Sequence, residues 1–409
     1  MQHQNNLSKN VFSITVIVAS LGYFVDIYDL LLFGIVKTTS LTAVGVSPEN
    51  ILAKGFWLLN WQMTGMLIGG VLWGIYGDKK GRLSVLFGSI FLYSIANIAN
   101  GFVTTLDQYA ICRFLAGLGL AGELGAGITL VSETMTKEKR GYGTTIVAAM
   151  GISGAVVSSI VAKLTSWQVA YFIGGGLVLI LLIMRLGIYE SGLFKQVQQQ
   201  NVQHGNFLGL FTDRKKFIRY IRCILIGMPI WFVIGILIFD SSDFAKILGV
   251  VGNVTNGSSI MYHYAGASIG AFLSGYISQW LKSRKKSLYI FIISLMFFMS
   301  ALPFMKGITS TEFYWFVFFF GIANGYWAVF ITTATEQFGT NIRATVTTTV
   351  PNFVRGSVPI LTTVFVVMNN HIGIMNSALI LGFSTMSIAL AASFFTKETY
   401  HHDLDFVEE

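Results

Sequence analysis

Charge is scarce in this 409-residue chain: Lys, Arg, Asp and Glu together make up 11% of it, against about a quarter of an average soluble domain. Hydrophobic residues make up 54%. So much apolar surface excludes a protein that folds in water. Only two cysteines are present, Cys112 and Cys223, and both fall in apolar segments, where we expect packing and not a disulfide.

The chain instead contains apolar stretches about as long as a helix that crosses a bilayer, which needs roughly 20 residues. The first stretch is too long for a signal peptide and has no cleavage site after it, so we expect it to remain as a helix. These stretches predict an all-α membrane protein with twelve transmembrane helices, at 11–36, 52–77, 83–103, 108–133, 144–164, 168–188, 220–240, 258–281, 287–306, 312–336, 344–368 and 372–396.

The longest connection between apolar stretches divides the predicted helices into two groups of six. It is polar and ends in basic residues, as expected of a flexible linker between two bundles. The predicted organisation is a stub at 1–10, a first bundle at 11–188, a linker at 189–219, a second bundle at 220–396 and a tail at 397–409.

The net charge of +8 does not indicate nucleic acid, because the basic residues lie in the short connections between apolar stretches. Most of them fall on one side of the predicted bundle. By the positive-inside rule that side is the cytoplasm, and the linker, the stub and the tail lie there. We therefore expect a multi-pass protein of a bacterial-type inner (plasma) membrane, a monomer in the lipid bilayer with both termini cytoplasmic.

Residues of the first group recur about 200 positions later, which indicates a duplicated architecture. Three glycines recur at an offset of 201, and an acid–base pair that follows the fourth helix recurs at 203. The recurring sets are Gly65, Gly69 and Gly74 with Gly266, Gly270 and Gly275, and Glu133 and Arg140 with Glu336 and Arg343.

The loop after the second stretch reads GIYGDKKGR, from Gly74 to Arg82, and it resembles the signature loop of the major facilitator superfamily. The segment from Arg113 to Gly141 resembles the fourth helix and following loop of the sugar-porter and organic-ion branches. The resemblance implies two pseudo-symmetric six-helix bundles that work by alternating access. It also implies roles in gating for Gly74, Asp78, Gly81 and Arg82, which brace the contact between halves, and for the pairs Glu133–Arg140 and Glu336–Arg343, which form salt bridges.

Ionisable residues inside a bilayer are costly and are candidates for function. Asp26 and Asp29 lie on one face of the first helix, and the resemblance places Asp29 near Arg113. Burial favours a protonated carboxyl and a nearby arginine favours the ionised form, so protonation depends on conformation. We predict proton coupling through Asp29, Asp26, Arg113 and Glu123. The alternatives are a permanent Asp29–Arg113 salt bridge, an Asp26 that only faces a hydrated cavity and a Glu123 that only hydrogen-bonds the backbone.

Arg355 falls near the middle of the eleventh stretch, twelve positions after Arg343 and between Pro351 and Pro359, which loosen the helix. This spacing resembles that of the organic-anion branch, where the second arginine faces the central cavity. A guanidinium there suits an anionic or zwitterionic substrate, or else pairs with an acid of the protein. Further candidates for substrate binding are the polar residues Asn60, Gln62, Asn324 and Thr332.

Four other ionisable residues fall nearer the outer face, and we expect them to be solvated: Asp240, Asp243, His263 and His371. The sequence contains no metal-ligand spacing and no nucleophile motif, so we expect no catalytic residue, no metal and no cofactor. The proton motive force is the expected source of energy.

The function predicted is proton-coupled symport of a small organic anion or zwitterion. The fifth stretch has Gly151 and Gly154 but lacks the proline of drug–proton antiporters, which favours uptake. An exporter of a metabolite, siderophore or drug, and a membrane sensor that does not transport, stay open as alternatives.

Overall fold

The structure, a computed structural model, describes residues 14–80, 82–123, 131, 137–189 and 209–400. In this part of the chain, helices or helix pairs correspond in order to the twelve predicted transmembrane segments. They are α1 (Ile14–Ala43), α2 (Ile51–Lys80), α3 (Arg82–Asn100), α4 (Leu106–Leu120), α5 (Lys137–Ile152 and Gly154–Leu164), α6 (Trp167–Tyr189), α7 (Arg214–Phe232, continued by a π-helical turn at Val233–Ile238), α8 (Asn256–Trp280), α9 (Arg284–Ala301), α10 (Ser310–Asn324 and Trp327–Glu336), α11 (Thr340–Gly356 and Val358–Ile372) and α12 (Ile374–Phe395). Over the described residues, seven helical stretches are long and apolar enough to cross a membrane by length and composition.

The short polar segments between apolar runs start the helices by capping them. Their side-chain oxygens accept hydrogen bonds from main-chain N–H groups of the first turn, which have no partner inside the helix. At α10 the Glu312 side chain also reaches back to the N-cap residue and completes a capping box. The capping residues are Thr105 for α4, Asp213 for α7, Thr255 for α8, Ser283 for α9 and Thr309 for α10.

The recurring glycines make the same contact in each half. A Cβ added to Gly65 of α2 would lie 2.2 Å from the carbonyl oxygen of Phe114 in α4. A Cβ added to Gly266 of α8 would lie 2.0 Å from the carbonyl oxygen of Phe318 in α10. Only glycine lets the helix backbones approach so closely. The predicted duplication is therefore confirmed in the packing of α2 on α4 and of α8 on α10.

The two halves also meet through a duplicated contact. We name the end of the bundle where α2 gives way to α3, and α8 to α9, the basic end. Near that end, a Cβ added to Gly74 of α2 would lie 3.4 Å from the Thr349 methyl group of α11. The symmetry-related Gly275 of α8 meets Thr145 of α5, where the distance would be 2.4 Å. Each half thus closes on the other at the basic end.

The opposite end is closed by a hydrogen bond and an ion pair. The Asn60 side-chain oxygen accepts a hydrogen bond from the Thr362 hydroxyl, with the two oxygens 3.0 Å apart, and this bond joins α2 to α11. Lys37 of α1 forms an ion pair with Asp240, which follows α7. The prediction ended the first helix at residue 36, before this lysine, whereas α1 continues to Ala43. The ion pair with Asp240 allows the lysine to be buried there.

Candidate functional site

A cavity lies between the two halves, midway between the closed ends. Its polar and aromatic wall includes Tyr23 from α1, Trp231 from α7, Tyr264 from α8, Trp327 from α10 and Arg355 from α11. Its volume is about 30 Å³, room for one or two waters. The cavity is therefore contracted, and it must widen before a larger molecule can enter.

Helices are interrupted at the level of this cavity. α5 breaks at Ser153, α7 changes to a π-helical turn after Phe232, α10 breaks between Asn324 and Trp327, and α11 breaks at Ser357. At the α10 break the chain passes close to α8, since a Cβ at Gly325 would lie 2.5 Å from the backbone of that helix. Irregular backbone at membrane depth is tolerated where it lines a cavity or is buried in protein.

Arg355, predicted to bind substrate, lies in the cavity wall and is 2% exposed. Its guanidinium carbon lies 5.6 Å from the ring centre of Trp231 and 5.4 Å from that of Trp327, distances typical of cation–π contacts. The Nη1 atom donates a hydrogen bond to Asn352, at 3.3 Å, whereas Nε has no hydrogen-bond partner. None of the ion pairs in the described part of the chain includes Arg355.

Two residues of α1 face this arginine. Tyr23 and Asp26 both interact with Arg355 electrostatically, and Asp26 also lies beside Tyr93 of α3. Room for the Tyr23 ring comes from Gly151 of α5, where a Cβ would lie 1.9 Å from the ring. An aspartate of the first helix therefore lies close enough to Arg355 to interact with its charge.

Asp29 faces the interior of the first half and not the cavity. Neither of its carboxylate oxygens has a hydrogen-bond partner, and the same holds for the three guanidinium nitrogens of Arg113. The two groups interact electrostatically, and Asn97 adjoins Asp29 outside hydrogen-bond geometry. Arg113 lies over the rings of Phe33 and Tyr171, at 5.5 and 5.8 Å. In this conformation the pair is close but is not a salt bridge.

The remaining candidates for substrate binding divide into one that reaches the cavity and three that do not. Asn324 lines the cavity. Asn60 accepts the hydrogen bond from Thr362 that joins the halves. Gln62 donates to the carbonyl oxygen of Leu30, at 3.4 Å, and Thr332 donates to the preceding turn of its own helix. Glu123, predicted for proton coupling, is buried just after the end of α4 and interacts electrostatically with Tyr93.

Of the gating candidates, Glu336 has a partner that the sequence did not indicate. Its carboxylate receives two hydrogen bonds from Arg284, from Nε at 3.2 Å and from Nη2 at 3.0 Å. Arg284 is the second-half counterpart of Arg82, and Thr399 of the tail also donates to Glu336. Gly81 and Glu133 lie outside the described residues, as do the side chains of Asp78, Arg82, Arg140 and Arg343.

The expectation that Asp240 and His263 are solvated is wrong. Asp240 is buried by its ion pair with Lys37, and His263 is buried against Asn324 of α10. His371 is exposed, as expected. Lys37 and Asp240 are functional candidates that sequence reasoning missed. The available signal was a basic and an acidic residue at the same place in the two halves, 203 positions apart.

Comparisons with known proteins agree with this architecture. The family model of the Major Facilitator Superfamily matches residues 12–363. A Bacillus subtilis protein named for niacin and nicotinamide transport is 28% identical over 341 residues, which are 80% of this chain and 81% of the relative. The niacin transporter NiaP of Acinetobacter baylyi is 27% identical over 83% of both chains. A benzoate transport protein of the same species is 30% identical over 42% of this chain and 38% of its own length.

Proposed function

The chain belongs to the major facilitator superfamily and is a multi-pass membrane transporter, and from that premise we propose that it carries a small organic anion by proton symport. The proposed direction is into the cell across the inner membrane, with both termini cytoplasmic. The substrate enters between the halves from one end of the bundle and leaves from the other. Alternating access of this kind requires the contacts at the two ends to break in turn.

The observation that carries the choice of an anion is Arg355. A buried guanidinium without a paired acid is costly, and a substrate carboxylate supplies the missing partner through bidentate hydrogen bonds. The tryptophans on either side of Arg355 fix its position before the substrate arrives. They also offer flat apolar surfaces to the body of the substrate. A small carboxylate with a flat or aromatic body is therefore the substrate that we propose.

The names of the relatives support the same class of cargo. Niacin and benzoate, named for the Acinetobacter baylyi relatives, are both aromatic and both carry a carboxyl group. The interrupted helices around the cavity support transport, since discontinuous helices at the midplane are a recurrent feature of transporter binding sites.

Proton coupling is proposed for Asp29, with Arg113 as its modulator and with Asp26 and Glu123 as further groups of the same half. A buried carboxylate that accepts no hydrogen bond is costly when ionised, and protonation removes most of that cost. Movement of α1 relative to α4 changes the distance to Arg113 and so changes which form is favoured. Because Tyr23 and Asp26 of α1 face Arg355, the occupied cavity and the proton site share one helix.

Uptake into proteoliposomes tests the proposal with a matched pair of solutes. Nicotinate and nicotinamide have the same ring and differ in charge, so we expect uptake of labelled nicotinate to exceed that of nicotinamide and to rise with an inward proton gradient. Arg355→Gln should abolish the preference for the anion. Arg222→Gln, which removes an arginine outside the cavity that binds the Phe395 carbonyl, should preserve it.

Equal uptake of the two solutes, or an Arg355→Gln variant that keeps the preference, would contradict anion recognition at this site. Uptake that an inward proton gradient does not stimulate would contradict symport. Stimulation by an outward gradient would instead support an exporter that works as a proton antiporter, and binding without any flux would support a sensor.

A further inference from the structure

The cavity contains a hydrogen-bond acceptor that an apolar carboxylate does not use. Asn324 lies at the end of the first segment of α10, where the helix breaks, and its side chain forms part of the cavity wall. It is 2% exposed. Its amide nitrogen lies 3.4 Å from the Ile230 carbonyl oxygen and 3.1 Å from Nε2 of His263.

These two contacts fix the orientation of the Asn324 amide. The Ile230 carbonyl can only accept a hydrogen bond, so the NH₂ group of Asn324 must face it. The same NH₂ group faces Nε2 of His263, which then acts as the acceptor, and the ring hydrogen lies on Nδ1. The oxygen of the amide is thereby turned away from both partners.

That oxygen, Oδ1 of Asn324, has no hydrogen-bond partner in the structure. A buried acceptor without a partner is unfavourable, and such groups in native proteins commonly mark a place that a water or a ligand fills. Other donors line the same cavity, among them Tyr264 and Trp327, but none of them hydrogen-bonds to this oxygen in the structure.

Arg355, in the same cavity, has a hydrogen-bond donor that lacks an acceptor. Its Nε atom is a donor without a partner, and the positive charge calls for an anionic group. One small cavity thus presents an unused cationic donor and an unused neutral acceptor. A ligand that satisfies both must carry an anionic group and a separate hydrogen-bond donor.

We propose that Asn324 is a specificity residue, which selects organic anions that carry a hydroxyl or amino group in addition to the carboxylate. This rests on the proposed function, because it takes the cavity for the substrate site and Arg355 for the anchor of the anion. Oδ1 of Asn324 accepts the hydrogen bond from the second group. His263 is a positioning residue, since it holds the amide nitrogen and leaves the oxygen free.

Binding to the purified full-length protein tests this with benzoate and its 3-hydroxy, 4-hydroxy, 3-amino and 4-amino derivatives. We expect at least one derivative to bind about tenfold more tightly than benzoate, as one additional hydrogen bond to a buried acceptor would give. Asn324→Leu keeps the size of the side chain and removes the acceptor, and it should bring the ratio of the two affinities close to one. His263→Leu should reduce the ratio, because the amide is then free to turn.

The comparison in the unmodified protein needs no variant and so does not depend on whether a variant folds. If benzoate binds as tightly as every derivative, the role of Asn324 is wrong while anion transport still stands. If Asn324→Leu still binds a derivative more tightly than benzoate, the role of Asn324 is likewise wrong while anion transport still stands. If no benzoate derivative binds at all, or if Arg355→Gln binds each of them unchanged, the proposed function fails and the role of Asn324 fails with it.

Discussion

Lys37 and Asp240 form a buried ion pair that joins the first half of the molecule to the second. Lys37 lies near the end of α1, and Asp240 follows the π-helical turn of α7 at the symmetry-related place. Their side chains are 5% and 2% exposed, and the lysine also donates to the carbonyl oxygen of Phe239, at 3.1 Å. Opening of the molecule at this end requires the pair to separate.

Removal of one partner should therefore favour the state that is open at this end. Lys37→Ala leaves the buried Asp240 carboxylate without a counter-charge, which costs roughly 3–5 kcal/mol in buried pairs. We expect a lower melting temperature and increased labelling of a cysteine placed at Ile35. The exchanged pair, Lys37→Asp with Asp240→Lys, should restore part of the melting temperature and reverse part of the increase in labelling. If Lys37→Ala changes neither, the pair does not hold this end closed.

Asp29→Asn tests the proton site. The amide cannot release a proton, so exchange of substrate across the membrane should persist, whereas accumulation driven by a pH gradient should be lost. Counterflow and gradient-driven uptake, measured on the same proteoliposomes, separate the two activities. Asp107→Asn, the same change at an exposed residue of α4, should retain both. Gradient-driven accumulation by Asp29→Asn at the normal level would remove Asp29 from the coupling mechanism.

The space that Asp29 occupies depends on a glycine of α6. A Cβ at Gly174 would lie 2.1 Å from Oδ1 of Asp29, whereas one at Gly176 would meet nothing within 4 Å. Gly174→Ala should therefore displace Asp29 and cost about 1–3 kcal/mol of overpacking. Gly176→Ala should be neutral in thermal unfolding and in transport. Equal melting temperatures for the two variants would contradict this packing.

The duplicated contact at the basic end is tighter in one half than in the other. Gly275→Ala would place a Cβ 2.4 Å from the Thr145 hydroxyl oxygen, whereas Gly74→Ala would place one at van der Waals distance from Thr349. We expect Gly275→Ala to hinder closure at the basic end and to slow transport several-fold. Gly74→Ala should transport normally. The measurement is the initial rate of exchange, and equal rates for the two variants would show that the tighter contact does not matter.

The tail anchors itself to α9 through Glu398. Partial burial alone would raise the pKa of this carboxyl group, but the hydrogen bonds that it accepts outweigh burial, so its pKa lies below the ordinary value of 4.5. The donors are the Ser283 hydroxyl and the main-chain N–H groups of Arg284, Lys285, Thr399 and Tyr400.

A lowered pKa means that the ionised carboxylate stabilises the fold above pH 4.5 and that this contribution is lost as the pH falls through the folded-state pKa. Glu398→Gln should melt at a lower temperature than the unmodified protein at pH 7. The difference in melting temperature between Glu398→Gln and the unmodified protein should become smaller at pH 4 and below. Melting curves recorded across this range test the sign, and a difference that does not change with pH would contradict the anchoring role.

The fold was predictable because its signals are local or periodic. Apolar runs give the helices wherever they are long enough, and the glycines at Gly65 and Gly266 mark the same close helix contact in each half. The boundaries of the two bundles and of the linker stay predictions. The helix breaks at Ser153 and Gly325 were not predicted, because no proline marks either position in the sequence.

The candidate site was predictable only in part. Arg355 and Asn324 line the cavity, as expected of an arginine too costly to place against lipid and of an amide on a cavity-lining helix. Asn60 and Thr332 were equally polar, but polarity does not tell which side of a helix faces the cavity and which faces a neighbour. The Lys37–Asp240 pair was missed because each residue, taken alone, is typical of the charged end of a helix.

The breaks in α5, α10 and α11 share one level of the bundle, and each break divides its helix into two arms. A continuous helix tilts as one rod, so motion at one membrane surface is carried to the other. An arm that ends at a break tilts by itself, while the far arm keeps its contacts. One entrance can then open through movement of the arms on its own side, while the contacts that close the other entrance stay in place.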